Sequence, residues 1–175
     1  VTGRKHRKAL ERWEHDTRLW AHETARDLVM SMVRGQPTPA TPYTIGVVLN
    51  PGECVWAECP VRFLQERPVG TQAGPDWFPP IRPWLVTSER VVGRLGDDRL
   101  YSWRWDRVVG CRVELDPGVE TVALDLQHGS RVVWIGPGTA PLAVAAVCRL
   151  HGLGALVLHA GLAPLRQAGQ RPTAK

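Results

Sequence analysis

The spacing of apolar and polar positions changes twice along the chain. Between Lys5 and Val33 there is neither proline nor glycine, and Leu10, Trp13, Trp20, Ala21, Ala25, Leu28 and Met32 recur at near-helical intervals among charged residues. That spacing predicts one long amphipathic helix over residues 3–34, stopped at "RGQPTPATP". From Gly46 the period becomes two. In "ECVWAECPVRFLQER" the residues Val55, Ala57, Cys59, Val61 and Phe63 share one face and Glu58 and Arg62 the other, as in a half-buried strand. Pro60 inside this run predicts a sheet edge or a bulge, because proline cannot donate to a ladder.

A loop dense in proline and glycine, "RPVGTQAGPDWFPPIRP", comes next. Six further strands are then expected in "PWLVT", "RVVGRL", "LYSWRW", "VVGCRVEL", "ETVALDLQ" and "SRVVWIG", separated by short turn signals. The helical period returns in "APLAVAAVCRLHG", with Thr139 as expected N-cap, Pro141 in the first turn and Gly152 at the stop. Leu142, Ala145, Ala146 and Leu150 give this helix an apolar face for the sheet, and another short helical turn is expected in the tail. The fold class predicted is mainly β with flanking helices (α+β): a seven-stranded antiparallel barrel closed by a C-terminal helix and preceded by a long N-terminal helix. The organisation is an amphipathic helix over 1–34, a Pro-rich linker over 35–45, the barrel domain over 46–152 and a tail over 153–175. The first helix either folds back on the domain or pairs with a second copy.

Within the barrel region, "NPGECVW", "LVTSERVVG" and "WDRVVGCRVE" together resemble the bacterial pleckstrin-homology and GRAM-like domains. That family shows a Gly-Glu at the first strand, a Leu-x-Thr-x-x-Arg hairpin and an Asp-x-Ile/Val step into a later strand. The matching positions are Gly52, Glu53, Leu85, Thr87, Arg90, Asp106 and Val108, and the likeness covers roughly residues 46–152. Thr87 and Ser88 are suited to holding a turn through side-chain hydrogen bonds to backbone, with Arg90 restarting the strand, charge outward, and Asp106 serving a similar turn. The N-terminal helix and the long Pro-rich loop depart from the family pattern.

Charge alters the picture only through its placement. The net +5 comes from the two ends, while the middle of the chain is close to neutral or slightly acidic, a poor footprint for duplex nucleic acid. Lysine occurs only at Lys5, Lys8 and Lys175, and the rich Arg, Ala, Val, Gly and Pro usage is that of a GC-rich bacterial genome. The basic start runs directly into charged residues where the apolar core of a secretory signal would follow, so the chain is expected to be cytoplasmic, or peripheral to the inner face of the membrane. Cys54, Cys59, Cys111 and Cys148 form no C-x2-C pair and are expected to be buried thiols.

Candidate chemistry points away from catalysis. The six histidines make no H-x-x-x-H or H-E-x-x-H pair, and no G-x-S-x-G or Walker-type loop is present, so no catalytic residue, metal ligand or cofactor is assigned. Binding candidates fall in three places. The basic run "GRKHRKALER" offers Arg4, Lys5, Arg7 and Lys8 to anionic lipid, to nucleic acid or simply to solvent. Trp13 and Trp20 mark the apolar stripe of the helix. Arg67, Trp77, Phe78 and Arg82 lie in or beside the long loop, where phosphoinositide-reading members of the resembled family carry basic residues. Tyr101, Trp103 and Trp105 form an aromatic ladder that is either barrel core or a surface for the first helix to cover. These features give the expectation of a non-catalytic adaptor that binds a protein partner or a second copy of itself. Anionic-membrane binding and nucleic-acid binding through the basic termini are the alternatives.

Overall fold

The computed structural model describes residues 2–36, 42–65, 80–95 and 99–167. Helix α1 spans Thr2–Val33. Seven strands follow: β1 (Val55–Gln65), β2 (Arg82–Thr87), β3 (Arg90–Arg94), β4 (Leu100–Arg104), β5 (Val108–Glu114), β6 (Thr121–Leu126) and β7 (Arg131–Ile135). Helix α2 (Ala140–His151) comes next, then short turns α3 (Ala155–Leu158) and α4 (Ala163–Gln167) around a 3-10 turn at Ala160–Leu162. The α+β class, the long first helix and the antiparallel strands agree with the periodicity of the sequence.

The strands form one antiparallel sheet in the order β4-β3-β2-β1-β7-β6-β5. β1 serves as the spine by changing partners: Val55 to Val61 pair with β2, and Arg62 to Gln65 pair with β7. The expected closure of a barrel is not found, because β4 and β5 end the order without pairing to each other. The 3-10 turn Trp105–Arg107 lies between them. Trp105 therefore leaves the strand face that it was expected to share with Tyr101 and Trp103, and its indole Nε1 donates to the Thr87 carbonyl at 3.0 Å.

Pro60 also departs from expectation, since β1 lies in the middle of the sheet. Its register partner is another proline, Pro83, and it sits just before the point where β1 exchanges β2 for β7. A missing N–H is tolerated there because the ladder on either side is already changing hands. The irregularity expected of this strand occurs instead at Val55/Ala57.

The core side of the sheet holds a cluster of rings. The Phe63 centroid lies 4.8 Å from Trp84, 5.0 Å from Trp103 and 5.5 Å from Trp134. Trp134 stands nearly perpendicular to both Trp84 and Trp103, the edge-to-face arrangement that aromatic quadrupoles favour. Two rings of the ladder, Tyr101 and Trp103, are thus part of the core wall and not a platform for α1. Gly93 is the register partner of Trp84, and the indole lies where a Cβ would be: one placed on Gly93 would come within 2.5 Å of two ring carbons. On the opposite side of β2 and β3, Leu85 and Val92 are covered by Ile45, Val47 and Leu49 from the segment before β1. This double burial explains the unbroken apolar run in β2.

Helix α2 fills the core beneath the sheet. Every residue from Ala140 to Val147 is buried, so the helix has no wet side in its first two turns. It packs on β5, β1, β2 and β6, and α1 lies against it. Thr139 precedes the helix as expected, but its hydroxyl bonds back to the Gly136 carbonyl at 3.0 Å and caps no helical N–H.

The Gly-Glu and Leu-x-Thr-x-x-Arg positions meet in a buried clasp. Arg90 donates from Nε to Glu53 Oε1 at 2.8 Å and from Nη2 to Oε2 at 3.0 Å, a bidentate pair. Thr87 Oγ1 donates to Glu53 Oε1 at 2.6 Å and accepts the Glu89 and Arg90 amides, while the Asn50 amide donates to Oε2 at 2.8 Å. The Arg90 guanidinium therefore points inward to Glu53 and not outward to solvent. Ser88 acts as expected of a turn residue, accepting the Cys54 amide at 3.0 Å, whereas the Asp106 carboxylate faces the exposed Arg104 side chain. Burial alone would raise the Glu53 carboxyl; bonds from Arg90, Thr87 and the Asn50 amide outweigh it and hold the group below the usual carboxylate range.

Two outcomes test this packing. Gly93→Ala should destabilise the fold by about 1–3 kcal/mol in urea unfolding, since the Trp84 ring must move within a filled core. Arg90→Leu should cost about 3–5 kcal/mol by leaving Glu53 buried and unpaired, and adding Glu53→Leu should recover a good part of that loss, giving a clear coupling energy in a double-mutant cycle.

Candidate interaction surface

Helix α1 divides into two halves with different surroundings. In the second half Ala21, Ala25 and Leu28 are buried, with Val29 and Met32 packed against the same cluster. The small side chains let α1 approach α2, whose facing turns are themselves rich in alanine. One polar anchor fixes the register: the Arg18 guanidinium pairs with the carboxylate of Glu120, a buried residue immediately before β6. Glu120 Oε2 also accepts the Gly118 amide at 3.2 Å.

His22 is buried beside this anchor. Its imidazole is held below the ordinary histidine value, chiefly by burial and then by the charges of Arg26 and Arg18, with Glu120 opposing them. Arg26 adds a buried Nε that lacks a hydrogen-bond partner. His22 thus lies within the electrostatic reach of Arg18, Arg26 and Glu120 where α1 meets the sheet. A small apolar cleft of about 230 Å³ opens beside it, lined by Arg26, Val29, Met30, Leu156, Leu162, Leu165 and Arg166.

The first half of α1 is different. Every side chain from Arg4 to Trp13 is exposed, including Arg4, Lys5, Arg7 and Lys8. Leu10, Trp13 and Trp20 remain 41%, 36% and 41% exposed. They recur at steps of three and seven residues, with half-buried Thr17 between the two tryptophans, so they form one seam along the helix. The stripe expected as a single apolar face is in fact two adjoining faces: a small-residue face that docks and a Leu/Trp seam that does not. Leu19, also exposed, lies off the seam.

The remaining candidates are dispersed. Arg82 is exposed at the start of β2 and lines a shallow cleft of about 310 Å³ with Thr44, Ile45, Gly46, Pro83, Arg94 and Leu95. Arg94 uses Nη2 to donate to the Gly46 carbonyl at 3.0 Å, so part of that cleft's charge is structural. Arg67, Trp77 and Phe78 lie outside the described residues. Arg82 and Lys8 line separate clefts.

The thiols are spread over unlike environments. Cys59 is buried, and burial pushes it up to about 12; Cys111 and Cys148 are half-buried, and Cys54, contrary to expectation, is exposed. Cys111 Sγ lies 3.8 Å from His151 Nε2, and His151 stacks on His159 with centroids 5.9 Å apart. Burial and then the Asp125 charge push the Cys111 thiol up to about 11, which keeps it protonated and a poor nucleophile near neutral pH. Among the described residues no group of three or more Cys, His, Asp or Glu side chains is placed to hold a metal ion, and no helix is long and apolar enough to cross a membrane. The Arg18–Glu120 anchor was not foreseen from the sequence, and although Glu53 and Arg90 were both motif positions, nothing in the local pattern paired them. In comparisons with known proteins, the chain matches no family model and no curated relative.

The buried neutral His22 gives α1 docking a pH dependence. Because its folded value lies below the unfolded one of about 6.5, its contribution is present above that pH and is lost as pH falls through the folded value. Stability measured from pH 7.5 downward should decline in this window, and His22→Gln should flatten the decline relative to the unaltered chain.

Proposed function

We propose that the protein is a non-catalytic, cytoplasmic adaptor that binds another polypeptide, or a second copy of itself, through the exposed half of α1. The observation that carries this reading is the Leu10–Trp13–Trp20 seam, held in the open by a helix whose other half is anchored. Tryptophan is the side chain most enriched among residues that dominate interface energies, and two on one helical seam form a compact anchor pair. The partner's site would be an apolar groove receiving a helix at three- and four-residue anchors. The sheet edges are less suited to recruitment. β4 exposes Arg104 and β5 exposes Arg112 and Glu114, charges that discourage strand addition.

The seven-strand antiparallel order with a helix following β7 supports a pleckstrin-homology-like or GRAM-like reading of the scaffold, although the sheet is open. On this reading the sheet and α2 act as a mount, and the clasp residues common to the motif serve stability and not ligand capture. A second reading is adsorption to an anionic membrane through Arg4, Lys5, Arg7 and Lys8, each contributing about 1 kcal/mol near such a surface. Glu11, Glu14 and Asp16 in the same stretch oppose it.

The adaptor reading is tested with the full tagged chain and a Leu10→Ser/Trp13→Ser/Trp20→Ser variant incubated with host extract and an untagged copy. At least one polypeptide should be retained by the unaltered chain and lost by at least about tenfold in the variant, the scale expected of interface anchors. Identical retained sets for the two would overturn it.

A further inference from the structure

The charge along α1 is as uneven as its packing. Arg4, Lys5, Arg7, Lys8 and Arg12 stand against Glu11 alone in the exposed first turns, and the first turn holds no acidic residue. This is an unfavourable end for an isolated helix, because the helix dipole already places positive charge there. An exposed helix of about four turns is marginal in water without something to pack on. Further along, Glu23 and Asp27 are exposed, while the basic groups near them are engaged inward: Arg18 on Glu120, and Arg26 with its Nε buried. The exposed surface of α1 is therefore positive at its start and negative toward its end, with the Leu/Trp seam between.

We infer that the occupant of the seam is the same seam of a second copy, lying antiparallel. This rests on the reading of α1 as a docking surface. Crossing near residue 15 sets Leu10 opposite Trp20 of the other helix and Trp13 opposite Thr17, so each indole meets a smaller side chain. The same register brings Lys5, which lies on the same flank of the seam as Glu23 and Asp27, beside those two carboxylates of the second copy, supplying negative charge to a helix end that lacks it. A two-fold axis through the crossing makes both halves of the contact equivalent and closes the assembly at two copies. A parallel pairing would stack the basic starts on each other. An anionic membrane would meet Glu11, Glu14 and Asp16 along with the basic residues.

Light scattering of the full purified chain across a concentration series tests this. The mass should rise from one toward two chains, and Trp13→Ser should weaken association on the order of tenfold or more, with helix content unchanged by circular dichroism. Lys5→Glu and Glu23→Lys/Asp27→Lys should each weaken it, and the chain carrying all three changes should regain it. A single-chain mass at every concentration, with α1 helical, would overturn the pairing; if the variant-sensitive capture from extract persists, the adaptor reading stands with another partner. Association lost on Trp13→Ser, and lost on the single-sign charge changes but not regained by their combination, would overturn the antiparallel arrangement. Monomers that float with anionic vesicles at low salt would assign the seam to lipid instead.

Discussion

A helix that is apolar on every side cannot lie at the surface of a small protein, and α2 is such a helix. Its first two turns are buried throughout, so the sheet alone is not enough to cover it. The second half of α1 supplies the other wall with small residues that allow close approach. Once that half is fixed by packing and by Arg18 on Glu120, the direction of the remaining half follows. A continuous helix is stiff over this length, and the first turns are carried away from the surface that holds the last ones.

Much of this was legible in the sequence, and the failures share a cause. Strand positions follow from alternation because each strand faces one core, and β2 departs from alternation only because residues 45–49 bury its second face. What local pattern does not contain is a partner far away in sequence. Arg90 reads as an outward charge until Glu53, 37 positions earlier, is folded against it. Pro60 reads as an edge residue because the exchange of β2 for β7 is set by the sheet and not by its neighbours. For α1 the large apolar side chains attract attention, yet alanines make the contact. The choice was decided by the alanine content of α2, more than a hundred residues away.

Two buried carboxylates have comparable roles. Glu53 ties the turn before β1 to the β2–β3 hairpin, and Glu120 ties the start of β6 to α1. Each is paired with an arginine and also accepts a backbone amide, the condition under which a buried charge is tolerable. Both hold elements together at places where apolar packing alone would leave the register free. Both carboxylates are thus used for assembly, while the Leu10–Trp13–Trp20 seam of α1 stays exposed.

The ring cluster around Phe63 has one more consequence. Three indoles within about 6 Å of each other, held at fixed and unequal angles, absorb light in an asymmetric setting that exists only while the core is packed. This cluster will therefore contribute near-ultraviolet ellipticity that fades on loosening of the core even where helices persist. The two indoles on α1 lie apart in a wetter setting and will emit at longer wavelength than the buried ones. These two groups of indoles respond to different things, one to the integrity of the scaffold and the other to what happens on the helix.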